Sequence, residues 1–91
     1  MDEIWKLVYD SFEQGPAGAF KTVTASNSMR NEVQFRLSRS IGEYKSNPSV
    51  DLMNSIEADV QAANSLNYMS DEITKKILEL IDTIRGENHG N

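Results

Sequence analysis

The stretch "SMRNEVQFRLSRSIGEYKSNPSVDLMNSIEADVQAANSL", Ser28 to Leu66, contains two amphipathic patterns separated by one short break. In the first pattern, apolar residues recur every three or four positions, which is the spacing of one helix face. They are Val33, Leu37, Ile41 and Tyr44. This pattern predicts a helix over about residues 28–45.

The break "KSNPSVD" predicts the end of the first helix and the start of the second. We expect Asn47 to cap the second helix and Pro48 to occupy its first position, where the missing N–H costs nothing. The second stripe, over a helix of about 48–67, consists of Val50, Met53, Ile56 or Glu57, Val60 and Ala63. Because the connection is so short, the two helices are expected to fold back as an antiparallel hairpin.

One helix is predicted on each side of this hairpin. The first covers about residues 2–14, with Asp2 as its cap, and ends at Gly15 and Pro16. The last covers about 71–85, with Ser70 as its cap, and ends at Gly86, so that 86–91 is a frayed tail. The sequence thus predicts a single all-α domain over 1–91. A chain this small gains stability by association, so we expect a homo-oligomer.

Positive charge is segregated within an acidic chain of net charge −5. Residues 21–45 carry five basic and two acidic side chains, whereas the rest of the chain carries four basic and twelve acidic ones. Arg36 and Arg39 point away from the apolar stripe and are expected to be solvated. Arg30 lies on the apolar side and needs an anion or a carbonyl; Glu57 or the Asp71/Glu72 pair could also meet it.

The segment before the second helix has the composition of an anion-binding connector. Hydroxyls and one cation lead into a helix amino terminus, whose free N–H groups attract phosphate. The candidate residues are Lys21, Thr22, Thr24, Ser26 and Ser28. Nearby aromatic side chains could stack on a base. They are Trp5, Tyr9, Phe12 and Phe20. Connectors that merely cap a helix have the same composition, and the P-loop pattern is absent.

Several classes of function are disfavoured. The chain has no cysteine and one histidine, His89, which excludes a Ser/His/Asp triad placed in the folded body and a multi-histidine metal site. We therefore expect no enzyme and no cofactor. The net charge opposes binding to a DNA or RNA polymer. No apolar run approaches the ~20 residues that span a bilayer, and "MDEIWKL" is acidic where a signal peptide is basic, so a cytoplasmic protein is predicted.

The segment Ser28–Leu66 resembles the helical hairpin of phage anti-CBASS proteins, cyclic-nucleotide sponges whose hairpin is shared with an anti-Thoeris sponge family. The likeness depends on the basic Arg30 at the opening of the first helix, the serine-containing turn "SNPS", and an aliphatic-Glu-x-x-Val-x-x-Ala-Asn run. In this chain that run is Ile56-Glu57, Val60 and Ala63-Asn64.

The resemblance implies a protein that sequesters cyclic di- or trinucleotide signals uncleaved, enclosed within a homo-oligomer, with a hexamer among the candidate assemblies. It would act in the host cell cytoplasm if phage-encoded. Arg30 and Lys21 would neutralise phosphates, and one of Tyr9, Phe12 and Phe20 would stack on a base. Hydrogen bonds would come from Thr22, Thr24 or Ser28. The alternative is a helical-bundle interaction module or an acidic inhibitor of a macromolecular partner.

Overall fold

The computed structural model describes residues 1–14 and 24–88, and this part of the chain is all-α. It contains four helices: α1 (Asp2–Gln14), α2 (Thr24–Ser46), α3 (Val50–Ser65) and α4 (Asp71–Asn88). The predicted all-α class is confirmed for the described residues.

Helix α1 begins differently from the prediction. Asp2 is its first helical residue, because the backbone N–H of Trp5 donates to the carbonyl of Met1 at 2.9 Å and so makes Met1 the residue before the helix. The expectation that Asp2 caps α1 is therefore wrong. Its carboxylate instead accepts a hydrogen bond from Lys45 Nζ at 2.6 Å.

Helix α2 is longer than predicted, since it begins at Thr24 rather than Ser28. It ends where the N–H of Asn47 donates to the carbonyl of Glu43 at 2.8 Å. Asn47 thereby closes α2 and does not cap α3. The cap of α3 is Ser49, whose Oγ accepts the N–H of Leu52 at 3.0 Å, and Pro48 remains in the connection outside the helix.

Helix α3 ends in a Schellman motif. The N–H of Tyr68 donates to the carbonyl of Ala63 at 2.8 Å, and the N–H of Asn67 donates to that of Asn64 at 3.0 Å. Asn67 has a φ of 65°, the left-handed conformation that asparagine tolerates better than most residues. This motif ends α3 before the predicted residue 67 and turns the chain toward α4.

The start of α4 agrees with the prediction and its end does not. Ser70 Oγ accepts the N–H of Ile73 at 3.2 Å, and the Ser70 carbonyl accepts the N–H of Thr74 at 2.9 Å, so Ser70 caps α4. The helix continues through Gly86 to Asn88. Gly86 does not take the positive φ that ends helices, and the prediction that it stops α4 is wrong.

The helices pack in a ring, in which α1 and α3 each contact both α2 and α4. Their inward stripes form one core, as the spacing of apolar residues predicted, except that Val50 is exposed. The core residues are Ile4, Val8, Phe12, Val33, Leu37, Ile41, Tyr44, Met53, Ile56, Val60, Ala63, Tyr68, Met69, Ile77 and Ile81. Buried Ser11 donates from Oγ to the carbonyl of Tyr68 at 3.1 Å and so joins α1 to the α3–α4 connection.

An ion pair between α3 and α4 predicts an acid-sensitive stability. The hydrogen bond from Arg85 to Glu57, at 2.8 Å, holds the pKa of the Glu57 carboxyl below its usual 4.5; burial opposes this effect, and the charge of Arg85 adds to it. Because the folded-state pKa is the lower one, the stabilisation is complete above about pH 4.5 and is lost as pH falls through the folded-state value.

We therefore expect the melting temperature of the wild type to fall more steeply below about pH 4.5 than that of Glu57→Gln. Arg85→Gln removes the partner and should flatten the profile in the same way. Thermal unfolding followed by circular dichroism across a pH series tests this. A Glu57→Gln profile as steep as that of the wild type would contradict it.

Candidate functional site

Arg30, the central residue of the candidate site, connects α2 to the end of α1. Its Nη1 donates to the carbonyl of Phe12 at 2.7 Å. That carbonyl belongs to the last turn of α1, where acceptors have no partner within the helix. The sequence left an anion, a carbonyl or a carboxylate open as the partner of Arg30, and in the structure a carbonyl accepts its hydrogen bond. Glu57 pairs with Arg85, and Asp71 accepts a hydrogen bond from Asn64 Nδ2 at 2.8 Å.

The charge of Arg30 is not offset in the described part of the chain. Among the side chains that the structure describes, those of residues 1–12 and 28–87, no carboxylate lies within ion-pair distance of its guanidinium, and its Nε is buried without a hydrogen-bond partner there. A buried guanidinium donor without an acceptor is costly, because the group loses its hydration. Arg30 thus has a charge without a carboxylate partner, and a buried Nε without an acceptor, among the described side chains.

The other α2 cations in the described residues are each paired with a carboxylate. Arg36 lies 2.9 Å from Asp59, Lys45 lies 2.6 Å from Asp2, and Arg39 lies 3.9 Å from Glu43. The hydrogen bond and charge of Lys45 lower the pKa of the Asp2 carboxyl. Much of the positive charge that the sequence segregates is therefore neutralised within the fold, and Arg30 is the exception.

Of the three aromatic candidates in the described residues, Trp5 is 36% exposed, and Phe12 and Tyr9 differ most in environment. Phe12 is 2% exposed and its ring packs against Tyr68, with 6.3 Å between centroids. Tyr9 is 46% exposed and makes a tilted contact with Trp5 at a centroid distance of 5.8 Å. Of these two, Tyr9 has a surface that a ligand can reach.

The remaining candidates lie around the start of α2. Thr24 is the first residue of the helix, and Ser28 is exposed one turn later. Phe20, Lys21 and Thr22 lie outside the described residues. In the sequence they precede Thr24 by two to four positions.

Asn64, which contributes to the resemblance, makes contacts within the fold. Its Nδ2 donates to the carbonyl of Met69 at 3.1 Å and to Asp71 Oδ1 at 2.8 Å. The side chain thus connects the end of α3 to the start of α4. This contact is a structural use for the Ala63-Asn64 pair.

A groove of about 550 Å³ lies between α1 and α4. Leu7, Leu80 and Thr83 form its less polar lining, and its charged residues are Glu3, Lys6, Asp10, Lys76 and Glu79. Because acidic side chains outnumber basic ones there, the groove does not favour a polyanionic ligand.

Two further features of the described residues bear on function. No set of three or more histidine, aspartate or glutamate side chains there is arranged to hold a metal ion. No helix in the described ranges has the length and apolar character required to cross a bilayer.

Sequence reasoning missed one exposed aromatic residue. Phe35 is 68% exposed, although it stands two residues before the fully buried Leu37. The helical period could have predicted this exposure. Residues two apart point about 200° away from each other around an α-helix, so a buried Leu37 places Phe35 on the outer side.

Comparison with known proteins finds no match to this chain among family models, curated proteins or solved structures. The functional interpretation therefore depends on the contacts described above and on the resemblance of Ser28–Leu66.

Proposed function

We propose that this chain is a non-catalytic binding protein that sequesters a cyclic di- or trinucleotide immune signal and so blocks a CBASS-type anti-phage defence. The observation that carries the proposal is the guanidinium of Arg30 at the junction of α1 and α2, which has no carboxylate partner among the described side chains. Resemblance to the sponge hairpin supports the choice of ligand. Because binding alone withholds the signal, the action is stoichiometric and needs no bond cleavage.

In this proposal the phosphates of the ligand meet Arg30 and Lys21. A guanidinium presents N–H donors in a planar fork that fits phosphate oxygens, and charge-assisted hydrogen bonds are about twice as strong as neutral ones. Tyr9, which is exposed, supplies a ring for stacking on a base. Hydroxyls of Thr22, Thr24 or Ser28 donate to the remaining acceptors.

The proposed antiparallel hairpin of α2 and α3 is supported by a cross-helix ion pair. Arg36 lies ten residues before the end of α2, and Asp59 lies nine residues after the start of α3, yet their side chains are 2.9 Å apart. Helices joined by a short connection bring such residues together when they run in opposite directions. In the proposed homo-oligomer, hairpins from several copies surround the ligand, which compensates for the small area that one copy can enclose.

A thermal-shift panel of cyclic di- and trinucleotides tests the proposal. One class should raise the melting temperature, because a ligand at 100 times its dissociation constant adds about 2.7 kcal/mol to the free energy of unfolding. The linear dinucleotides of the same bases are the matched control and should shift it less. The bound ligand should be recovered intact after denaturation. No shift with any cyclic nucleotide would contradict the proposal, and a cleaved product would contradict its non-catalytic part.

A partner-binding bundle is the second candidate, and the exposed aromatic side chains favour it. Trp5, Tyr9 and Phe35 are 36%, 46% and 68% exposed, and aromatic residues are enriched in protein interfaces. The groove between α1 and α4, where acidic side chains outnumber basic ones, would also suit a basic partner. This candidate predicts capture of a macromolecule whose binding is unaffected by cyclic nucleotides.

A further inference from the structure

The outer face of α2 presents Phe35 to solvent. Its side chain is 68% exposed, whereas Leu37, about 200° further around the helix, is fully buried in the core. Since α2 packs on α1 and α3, Phe35 faces away from the bundle. An exposed phenylalanine at the middle of a 23-residue helix offers aromatic surface of the kind that is enriched in protein interfaces.

Opposite charges flank Phe35 on one side of this face. Glu32 and Arg39 are seven residues apart, so they lie nearly in line along the helix, with Phe35 between them. Both are exposed, and Arg39 pairs within the chain only with Glu43, at 3.9 Å, among the described residues. Its side chain is 66% exposed, which leaves the guanidinium accessible to another carboxylate.

Small residues on this face leave room for a second helix to approach. Ser38 and Gly42 follow Phe35 by three and seven positions, which places them on the same outer side. A Cβ built at Gly42 would meet nothing within 4 Å. Helices approach each other more closely over small residues than over large ones.

Helix α1 adds aromatic surface at the same level. Two contacts define its register against α2: Lys45 with Asp2 at one end, and Arg30 with the Phe12 carbonyl at the other. The helices therefore run in opposite directions, and Tyr9 lies near the level of Phe35. Exposed aromatic side chains of both helices are thus close to the middle of α2.

We propose that this face binds a second copy of the chain, with the two α2 helices antiparallel about a two-fold axis next to Phe35. Each Phe35 then packs against Phe35 of the partner subunit at the axis. Glu32 of each copy faces Arg39 of the partner subunit, which forms two symmetric ion pairs. In a parallel pairing the two Glu32/Arg39 flanks would lie on opposite sides of the seam, so these ion pairs would not form. This inference rests on the homo-oligomer of the proposed function, and it concerns how copies pair, not what they bind.

The test measures the mass of the ligand-free protein by light scattering over a range of concentrations, with native mass spectrometry for mixtures. The wild type should form a dimer or a multiple of it. Phe35→Asp should raise the dissociation constant by about 30-fold or more, as removal of a central anchor does. Glu72→Arg, on the exposed face of α4, should leave the mass unchanged.

Charge exchange tests the antiparallel register. Glu32→Arg and Arg39→Glu should each weaken association, because each places like charges at both contacts. The double variant, and an equimolar mixture of the two single variants, should restore the dimer. A monomeric wild type at all concentrations would overturn the inference, as would association of Phe35→Asp equal to that of the wild type or an unrestored double variant.

The ligand panel separates this outcome from the proposed function. A nucleotide-induced thermal shift in a protein that stays monomeric would overturn the pairing and the proposed oligomer, and would leave sequestration of the nucleotide supported. A dimer that binds no cyclic nucleotide would contradict the proposed sequestering function and would leave the antiparallel pairing of the α2 helices supported.

Discussion

Leu37→Ala is expected to lower the free energy of unfolding by about 3 kcal/mol. Leu37 is fully buried in the middle of α2, within the core shared by all four helices. Truncation removes the transfer free energy of the lost carbons and leaves a cavity that a packed core fills only in part. A domain of this size has only about 5–14 kcal/mol of stability in total, so the loss is a large fraction of it.

Urea unfolding followed by far-UV circular dichroism measures this effect. The urea concentration at the unfolding midpoint should fall. The slope of the free energy of unfolding against urea concentration should stay constant, since the surface exposed on unfolding is nearly the same. Met29→Ala is the matched control: it lies on the same helix, is 51% exposed, and should change stability by less than about 0.5 kcal/mol. A loss below about 1 kcal/mol for Leu37→Ala would contradict the described packing of α2.

Under the proposed function, Arg30→Gln is expected to weaken the binding of a cyclic nucleotide by about 100-fold. The substitution removes the one α2 cation that has no carboxylate partner in the described part of the chain. It keeps a neutral amide donor, which can still hydrogen-bond without neutralising a phosphate. A charge-assisted hydrogen bond to a phosphate contributes about 1.5–3 kcal/mol, and the loss of that much binding free energy weakens affinity by about 10- to 150-fold.

Isothermal titration of wild-type and variant proteins with the nucleotide that gives the largest thermal shift tests this prediction. Arg30→Lys should bind with intermediate affinity, because it keeps the charge and loses the planar fork. Lys75→Gln, which removes an exposed cation on α4 away from the candidate site, should bind as the wild type does. Unchanged affinity in Arg30→Gln would exclude Arg30 from the site.

A structural role for Arg30 gives a different result. If the contact with the Phe12 carbonyl serves only to close α1, Arg30→Gln should lower the melting temperature of the free protein without any selective effect on the ligand. Melting curves measured before titration separate the two roles. The free variant is expected to lose no more than about 1 kcal/mol, because a single partly exposed hydrogen bond has a small net value.

The core was largely predictable, because helical spacing alone selects its residues. However α2 is placed in a bundle, helical spacing puts four of its apolar residues on one face, and all four are buried: Val33, Leu37, Ile41 and Tyr44. The boundaries were less predictable. Asn47 and Ser49 both suit a helix cap, and the choice depended on Asn47 N–H already donating to Glu43 at the end of α2.

The candidate site was only partly predictable. The sequence indicated that Arg30 needs an acceptor, but it left a carbonyl, an anion and several carboxylates open. Similarly, Tyr9 and Phe12 were equivalent candidates in the sequence, and they differ in the structure because Phe12 faces the core and Tyr9 faces solvent. The candidates at residues 20–22 lie outside the described residues and stay predictions.

The sequence by itself determined the helical class, the inward stripes and the cap of α4 at Ser70, because these depend on spacing and on hydrogen bonds within a few residues. Only the tertiary structure decided which charges are neutralised. Arg36 meets Asp59, Lys45 meets Asp2 and Arg85 meets Glu57 across helices that are distant in sequence. Such pairs depend on how the helices pack, which no local pattern encodes, and they leave Arg30 as the α2 cation without a described carboxylate partner.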